Sequence, residues 1–153
     1  MTCGVTSDGR GFCWGAIKNY EDPNLPYGLL GDCTFSGSRF PVAVAGDLRF
    51  RQIVAGTRHV CGLTTDGKAW CWGSNESAQL GVGSHGGRSP LPLGVAGALE
   101  FESLSLADHS CGLTSRGNIY CWGITYGGLL GDGTSGPGVR TLPTRLARPR
   151  DGR

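Results

Sequence analysis

Cys61-Gly-Leu-Thr-Thr-Asp-Gly-Lys-Ala-Trp-Cys71-Trp-Gly73 decides the fold of this 153-residue chain. Two runs of strand formers, His59–Thr64 and Lys68–Gly73, flank the turn residues Thr65, Asp66 and Gly67. A type I turn that closes on a Gly in the left-handed region makes a three-residue hairpin loop. That loop pairs Thr64 with Lys68, and counting back from it sets Cys61 opposite Cys71. A two-residue Asp-Gly loop would put the two Cys on opposite faces, because side chains alternate along a strand. Opposed residues of antiparallel strands have Cα atoms about 4.5–5.5 Å apart, within reach of a disulfide.

The same string occurs three times. Cys3-Gly-Val-Thr-Ser-Asp-Gly-Arg-Gly-Phe-Cys13-Trp-Gly15 precedes it by 58 residues, and Cys111-Gly-Leu-Thr-Ser-Arg-Gly-Asn-Ile-Tyr-Cys121-Trp-Gly123 follows after another 50. The ten-residue Cys spacing is identical in each copy, which favours the three-residue loop and gives Cys3–Cys13, Cys61–Cys71 and Cys111–Cys121 as cross-strand pairs. Further matches lie at fixed offsets: Leu29-Leu-Gly31, Gln79-Leu-Gly81 and Leu129-Leu-Gly131; Pro41, Pro92 and Pro143; Phe50 and Phe101; His59 and His109. Repeats of roughly 50 residues indicate propellers or solenoids. The units run over about 1–49, 50–100 and 101–153.

Two more strands complete a unit. Pro41–Val44 and Pro92–Val95 read as short strands whose leading Pro suits a strand start or an edge. Phe50–Val54 and Phe101–Ser105 carry the alternation of a half-buried strand. Four strands per unit make a propeller blade. The expected fold is all-β, a partial propeller of about three four-stranded blades with eleven strands, since no Phe-strand precedes Cys3. Composition agrees. Glycine fills 28 positions, more than twice the ordinary usage of about 7%, without the Gly-X-Y period of collagen. Four Trp, five Phe and four Tyr supply apolar bulk that disordered chains lack. No apolar run approaches the roughly 18 residues of a membrane helix, and a net charge of +2 is too small to argue for nucleic acid.

Phe-x-x-[Ile/Leu], His-x-Cys-Gly-Leu-Thr, Asp-Gly, Cys-Trp-Gly and [Gln/Leu]-Leu-Gly together resemble the regulator of chromosome condensation repeat, and the Cys-Gly-Leu-Thr and Cys-Trp-Gly spelling looks like its bacterial members. The resemblance covers nearly the whole chain. It implies a seven-bladed propeller of which this chain holds about three blades, and hence a fragment of a larger propeller. It also implies two functional frames. The eukaryotic founder of the family promotes guanine-nucleotide exchange on a small GTPase while docked on chromatin, and a bacterial relative inhibits β-lactamases by surface contact alone. The founder's active loops do not align here, so none of its residues is carried over.

The residues themselves offer little chemistry. Trp14, Trp72 and Trp122 recur too regularly for a ligand platform and read as packing between blades. His59 and His109 recur with them and read as structural hydrogen-bonding groups; two ligands fall short of the four usual for zinc. The Cys are ten apart and not Cys-x-x-Cys, so disulfides are favoured over metal, with reduced packing thiols as the alternative. Cys33 stands where the other repeats have Gly83 and Gly133; it reads as an inert loop thiol, with a reactive or chain-linking thiol as the alternative. No phosphate loop, nucleophile elbow or His-Glu-x-x-His motif occurs. The expectation is therefore no enzyme, no catalytic residue, no cofactor and no metal.

One feature breaks the repeat. Between Trp14 and Leu29 the first unit carries eight residues more than the others do. Insertions in repeat proteins map to loops on one face, often the binding face, and Tyr is a favoured interface anchor. Lys18, Tyr20, Glu21, Asp22 and Tyr27 are the candidate partner-binding loop. The expected role is a non-catalytic protein-binding scaffold, with an exchange-factor-like regulator as the alternative, and with a protein partner but neither nucleic acid nor membrane. A basic tail of Arg140, Arg145, Arg148, Arg150 and Arg153 reads as a solvated, frayed end. A three-blade arc leaves two apolar faces open, to be covered by self-association or by further blades. Localisation pulls two ways. A start without a basic n-region or apolar h-region points to the cytoplasm, whereas three paired Cys point to an oxidising, extracytoplasmic compartment.

Overall fold

A computed structural model describes residues 1–15 and 27–147. Lys18, Tyr20, Glu21 and Asp22 of the insertion, and Arg148, Arg150 and Arg153 of the tail, lie outside the described residues. Among the described residues are eleven strands in three antiparallel sheets. The first sheet holds β1 (Thr2–Val5), β2 (Gly11–Gly15) and β3 (Ser38–Ala43). The second holds β4 (Phe50–Ala55), β5 (His59–Thr64), β6 (Ala69–Ser74) and β7 (Arg88–Gly94). The third holds β8 (Ser103–Leu106), β9 (Ser110–Leu113), β10 (Ile119–Ile124) and β11 (Val139–Arg145). Each sheet pairs its strands in chain order, as the blades of a propeller do.

The central hairpins have the register that the turn chemistry dictates. Thr64 N donates to Lys68 O at 2.9 Å and Gly67 N to Thr64 O at 2.9 Å, with Gly67 at φ 81°. Cys61 then faces Cys71, Cys3 faces Cys13 and Cys111 faces Cys121. Each pair is joined as a disulfide with Cα atoms 4.1 Å apart.

The outer strands depart from the sequence reading. β3 and β7 begin three and four residues before Pro41 and Pro92, so these prolines lie inside the strands rather than at their start. The pairing explains why they are tolerated there. Ser38 pairs with Gly15 and Val42 with Cys13, so four steps on the outer strand oppose two on its neighbour. The same offset recurs for Ser89 and Leu93 against Gly73 and Cys71, and for Arg140 and Thr144 against Gly123 and Cys121. Pro41, Pro92 and Pro143 all fall within these bulges, on edge strands where the missing N–H costs no ladder bond. In the first two blades a serine hydroxyl ties the bulge: Ser38 Oγ donates to Phe40 O, and Ser89 Oγ to Leu91 O. β8 also starts two residues after Phe101, although Phe101 N donates to Gly67 O of the preceding blade just as Phe50 N, the first residue of β4, donates to Gly9 O.

The core lies between blades. Side-chain alternation gives each blade a forward face carrying the disulfide and a backward face carrying Trp and Phe. Cys13, Leu30 and Val44 of the first blade pack with Phe50, Val60 and Trp72 of the second. Cys61, Leu63, Cys71 and Leu80 of the second pack with Phe101, Leu104 and Trp122 of the third.

Cys33 adopts φ 70°, as Gly83 (87°) and Gly133 (89°) do at the equivalent positions, and its side chain is exposed. The left-handed conformation costs a non-glycine residue about 1–2 kcal/mol, and glycine's extra unfolded-state entropy offsets roughly 0.4–1 kcal/mol of that. Cys33→Gly is therefore expected to raise stability by about 0.5–1 kcal/mol, read from the urea midpoint. A lowered midpoint would show that the thiol contributes packing here.

Candidate functional site

Antiparallel meanders send their connections to two ends. The hairpin tips at Asp8, Asp66 and Arg116 lie at one end, and the described links 27–37, 56–58, 75–87, 107–109 and 125–138 lie at the other. Small polar staples shape these links. Asp32 Oδ1 accepts from Thr34 N at 3.0 Å and from Thr34 Oγ1 at 2.8 Å. Asp132 repeats the arrangement with Thr134 and adds an ion pair to Arg140 Nε at 2.7 Å. The Thr134 hydroxyl and amide, helped by Arg140, hold the Asp132 carboxyl below its usual range. Arg140 of the basic tail is thus engaged in an ion pair, and Arg145 Nη2 donates to Asn118 Oδ1. Tyr27, the one candidate loop residue among those described, is half-buried against the core of the first two blades and anchors the end of the insertion.

The tryptophans divide by position. Trp72 and Trp122 have no exposed surface. Trp72 Nε1 donates to Leu29 O at 2.8 Å and Trp122 Nε1 to Gln79 O at 2.9 Å, each reaching into the preceding blade. Glycine makes this approach possible: a Cβ on Gly81 would lie 2.7 Å from Trp122 Nε1. Trp14 is only half-buried.

Between the second and third blades, polar groups extend the staple. Ser110 Oγ donates to Gln79 O at 2.8 Å and lies 2.7 Å from His59 Nε2. The hydroxyl's proton is committed to Gln79, so it accepts from His59 Nε2–H, while His59 Nδ1 is buried without a partner among the described residues, which disfavours a second ring proton. The equivalent residue one blade earlier is Val60, and no hydroxyl occurs there. The sequence signal for Ser110 is a hydroxyl that it shares with Thr2 at a repeat position where the second blade has Val60.

Burial of His59 lowers its pKa from 6.5 to about 4, with repulsion from His109 adding to the shift and Asp108 opposing it. Between these values the unfolded chain binds a proton that the folded chain excludes. His59 therefore contributes fully above its unfolded pKa, and that contribution is lost as pH falls from about 6.5 to about 4. The loss expected of wild type is about 3 kcal/mol. Urea unfolding at pH 7 and pH 4.5 checks it: His59→Gln, which keeps a donor, should lose less over this interval than wild type does. Equal losses would mean that His59 is not the group responsible.

Among the described residues, no three His, Cys, Asp or Glu side chains are placed to hold a metal ion, and no helix is long and apolar enough to cross a membrane. The third blade presents an open groove of about 420 Å³ on its forward face, lined by Cys111, Leu113, Ile119, Leu129 and Leu146 among others.

Comparison with known proteins places these features. The regulator of chromosome condensation (RCC1) repeat profile matches residues 50–79 and 107–126. The human regulator of chromosome condensation is 35% identical over 95 residues, covering 59% of this chain and 21% of that protein. Protein pim1 of Schizosaccharomyces pombe is 30% identical over 92 residues, covering 55% and 17%. The crystal structure of Prp20p from Saccharomyces cerevisiae, studied for its binding to Gsp1p and histones, superposes with a TM-score of 0.80 at 21% identity, over 96% of this chain and 36% of that one. Human WBSCR16 superposes with a TM-score of 0.75 at 18% identity, over 94% and 34%. The chain thus spans about a fifth of the curated relatives and about a third of the solved propellers. The repeat profile and the curated relatives show that residues 50–79 and 107–126 carry regulator of chromosome condensation repeats, and the solved structures show that the chain has the fold of β-propeller blades.

Proposed function

We propose that this chain is a non-catalytic protein-binding scaffold that presents its partner surface at the end where the long links gather. The observation that carries this reading is the unequal length of equivalent links. The connection after β2 has eight residues more between Trp14 and Leu29 than its counterparts have, on a framework otherwise repeated nearly residue for residue. Binding residues concentrate on loops that a rigid scaffold positions. Prp20p has been examined for binding to Gsp1p and histones, and yeast RCC1 (Prp20) has been crystallised with Kap60. These relatives favour a protein as the ligand class.

The test is biolayer interferometry of the chain against purified Gsp1p, core histones and Kap60, with Tyr20→Ser and Glu21→Lys as loop variants. Saturable binding that either variant weakens about tenfold, roughly 1.4 kcal/mol, supports the scaffold and its loop. Unchanged affinity in both variants removes the loop from the account. The exchange-factor reading has a separate readout. Faster release of a fluorescent guanine nucleotide from a small GTPase would favour it, and release at the intrinsic rate would leave binding alone.

A further inference from the structure

We propose that the seam between the second and third blades is an acid-released joint: protonation of His59 parts these two blades where links 56–58, 75–87 and 107–109 meet, while the first and second blades stay joined. Both blades of this seam have four strands, and the seam lies within the chain. His59 has no exposed surface, and its Nδ1 is buried without a partner among the described residues. The ring sits on Gly56, where an added Cβ would lie 2.8 Å from Cε1 and 3.0 Å from Nδ1. Its other nitrogen is spent on Ser110 Oγ at 2.7 Å. A second ring proton must therefore enter at Nδ1, as a buried donor without an acceptor. Buried unpaired charge is among the costliest features a fold can carry, and swinging the ring out to water relieves it.

That movement undoes more than one contact. Ser110 Oγ donates to Gln79 O at 2.8 Å, and Trp122 Nε1 donates to the same carbonyl at 2.9 Å. Gln79 lies on link 75–87 of the second blade, whereas Ser110 and Trp122 lie on β9 and β10 of the third. Departure of the imidazole leaves the Ser110 hydroxyl without its donor and lets water reach the carbonyl that joins the two blades. The titratable groups facing the ring are His109 and Asp108 of link 107–109, and Arg58 is the exposed cation on its own link. His109 opposes a charge on the ring. Asp108 favours one and, being exposed, draws the charged ring toward solvent.

The first seam has the same indole staple without the switch. Trp72 Nε1 donates to Leu29 O at 2.8 Å, but Val60 stands in the place of Ser110 and Met1 in the place of His59. These side chains are apolar, and acid changes neither of them. Two seams built on one repeat thus differ in the pair of residues that titration acts on.

Hydrogen exchange of the Trp72 and Trp122 indole N–H groups, read at pH 7 and pH 4.5 in the oxidised, full 153-residue chain, tests this. The ratio of the Trp122 rate to the Trp72 rate cancels the pH dependence of the exchange chemistry itself. With a ring pKa of about 4 in the closed seam and 6.5 in the open one, that ratio is expected to rise about fifty-fold at the lower pH. His59→Met combined with Ser110→Val copies the first seam and should abolish the rise. Urea unfolding checks that this double variant folds; His59→Gln, read the same way, replaces it if it does not. A wild-type ratio that stays constant, because the two seams hold together or open together, would overturn the proposal. So would a variant whose ratio rises as the wild type's does.

Discussion

Reducing the three disulfides is expected to bring the chain to the edge of unfolding without denaturant. Each bond closes a loop of ten residues' separation, for which the loss of unfolded-state entropy is about 2.5–3 kcal/mol. Three such bonds sum to about 8 kcal/mol, against a usual total stability of about 5–15 kcal/mol. With a urea slope of about 1.5–2 kcal/mol per molar, the midpoint should fall by roughly 4–5 M. The order of reduction should follow burial. Cys61 and Cys71 are fully enclosed, whereas Cys3 and Cys111 are half-buried, so alkylation during mild reduction should reach the central pair last. Urea titrations with and without reductant check the first expectation, and peptide mass mapping checks the second. A midpoint that moves by less than about 1 M would show that the hairpins are set by packing and not by the cross-links.

Trp72→Ala is expected to cost about 3–5 kcal/mol for the lost indole and its cavity, with a further 1–3 kcal/mol because the buried Leu29 carbonyl loses its donor. Trp14→Ala removes the same residue from the same repeat position, yet it should cost less than about 1.5 kcal/mol, because Trp14 is half-buried and none of the described residues accepts a hydrogen bond from it. Urea unfolding of the two variants at low protein concentration measures the contrast. Similar losses would mean that the indoles stabilise each blade from within rather than joining one blade to the next.

That contrast also marks what the sequence could convey. The hairpin register was legible because alternation leaves one loop length compatible with Cys61 and Cys71 on a common face. The inter-blade role of Trp72 and Trp122 was legible from their recurrence. Trp14 has the same local sequence but differs in environment, since no preceding blade packs against it among the described residues. The bulges around Pro41, Pro92 and Pro143 were not legible, because an edge strand pairs on one side only and its alternation need not match its neighbour's. The reading of a strand from Phe101 did not distinguish it from Phe50: both donate their N–H to the preceding blade, yet β4 starts at Phe50 and β8 only at Ser103. His59 was read as structural, and its partner Ser110 shares only a hydroxyl with Thr2, while Val60 stands at that position in the second blade, so the repeats carried no uniform residue there.

Hydrogen exchange of the four indole N–H groups, followed by nitrogen-15 NMR on dilute protein, tests the central claim that these repeats stack as blades through tryptophan staples. Trp72 and Trp122 should exchange slowly, at rates limited by opening of the inter-blade cores, while Trp14 and Trp70 exchange at rates close to those of free indole. Four indoles exchanging alike, or Trp14 protected as strongly as Trp72 in the monomer, would contradict it.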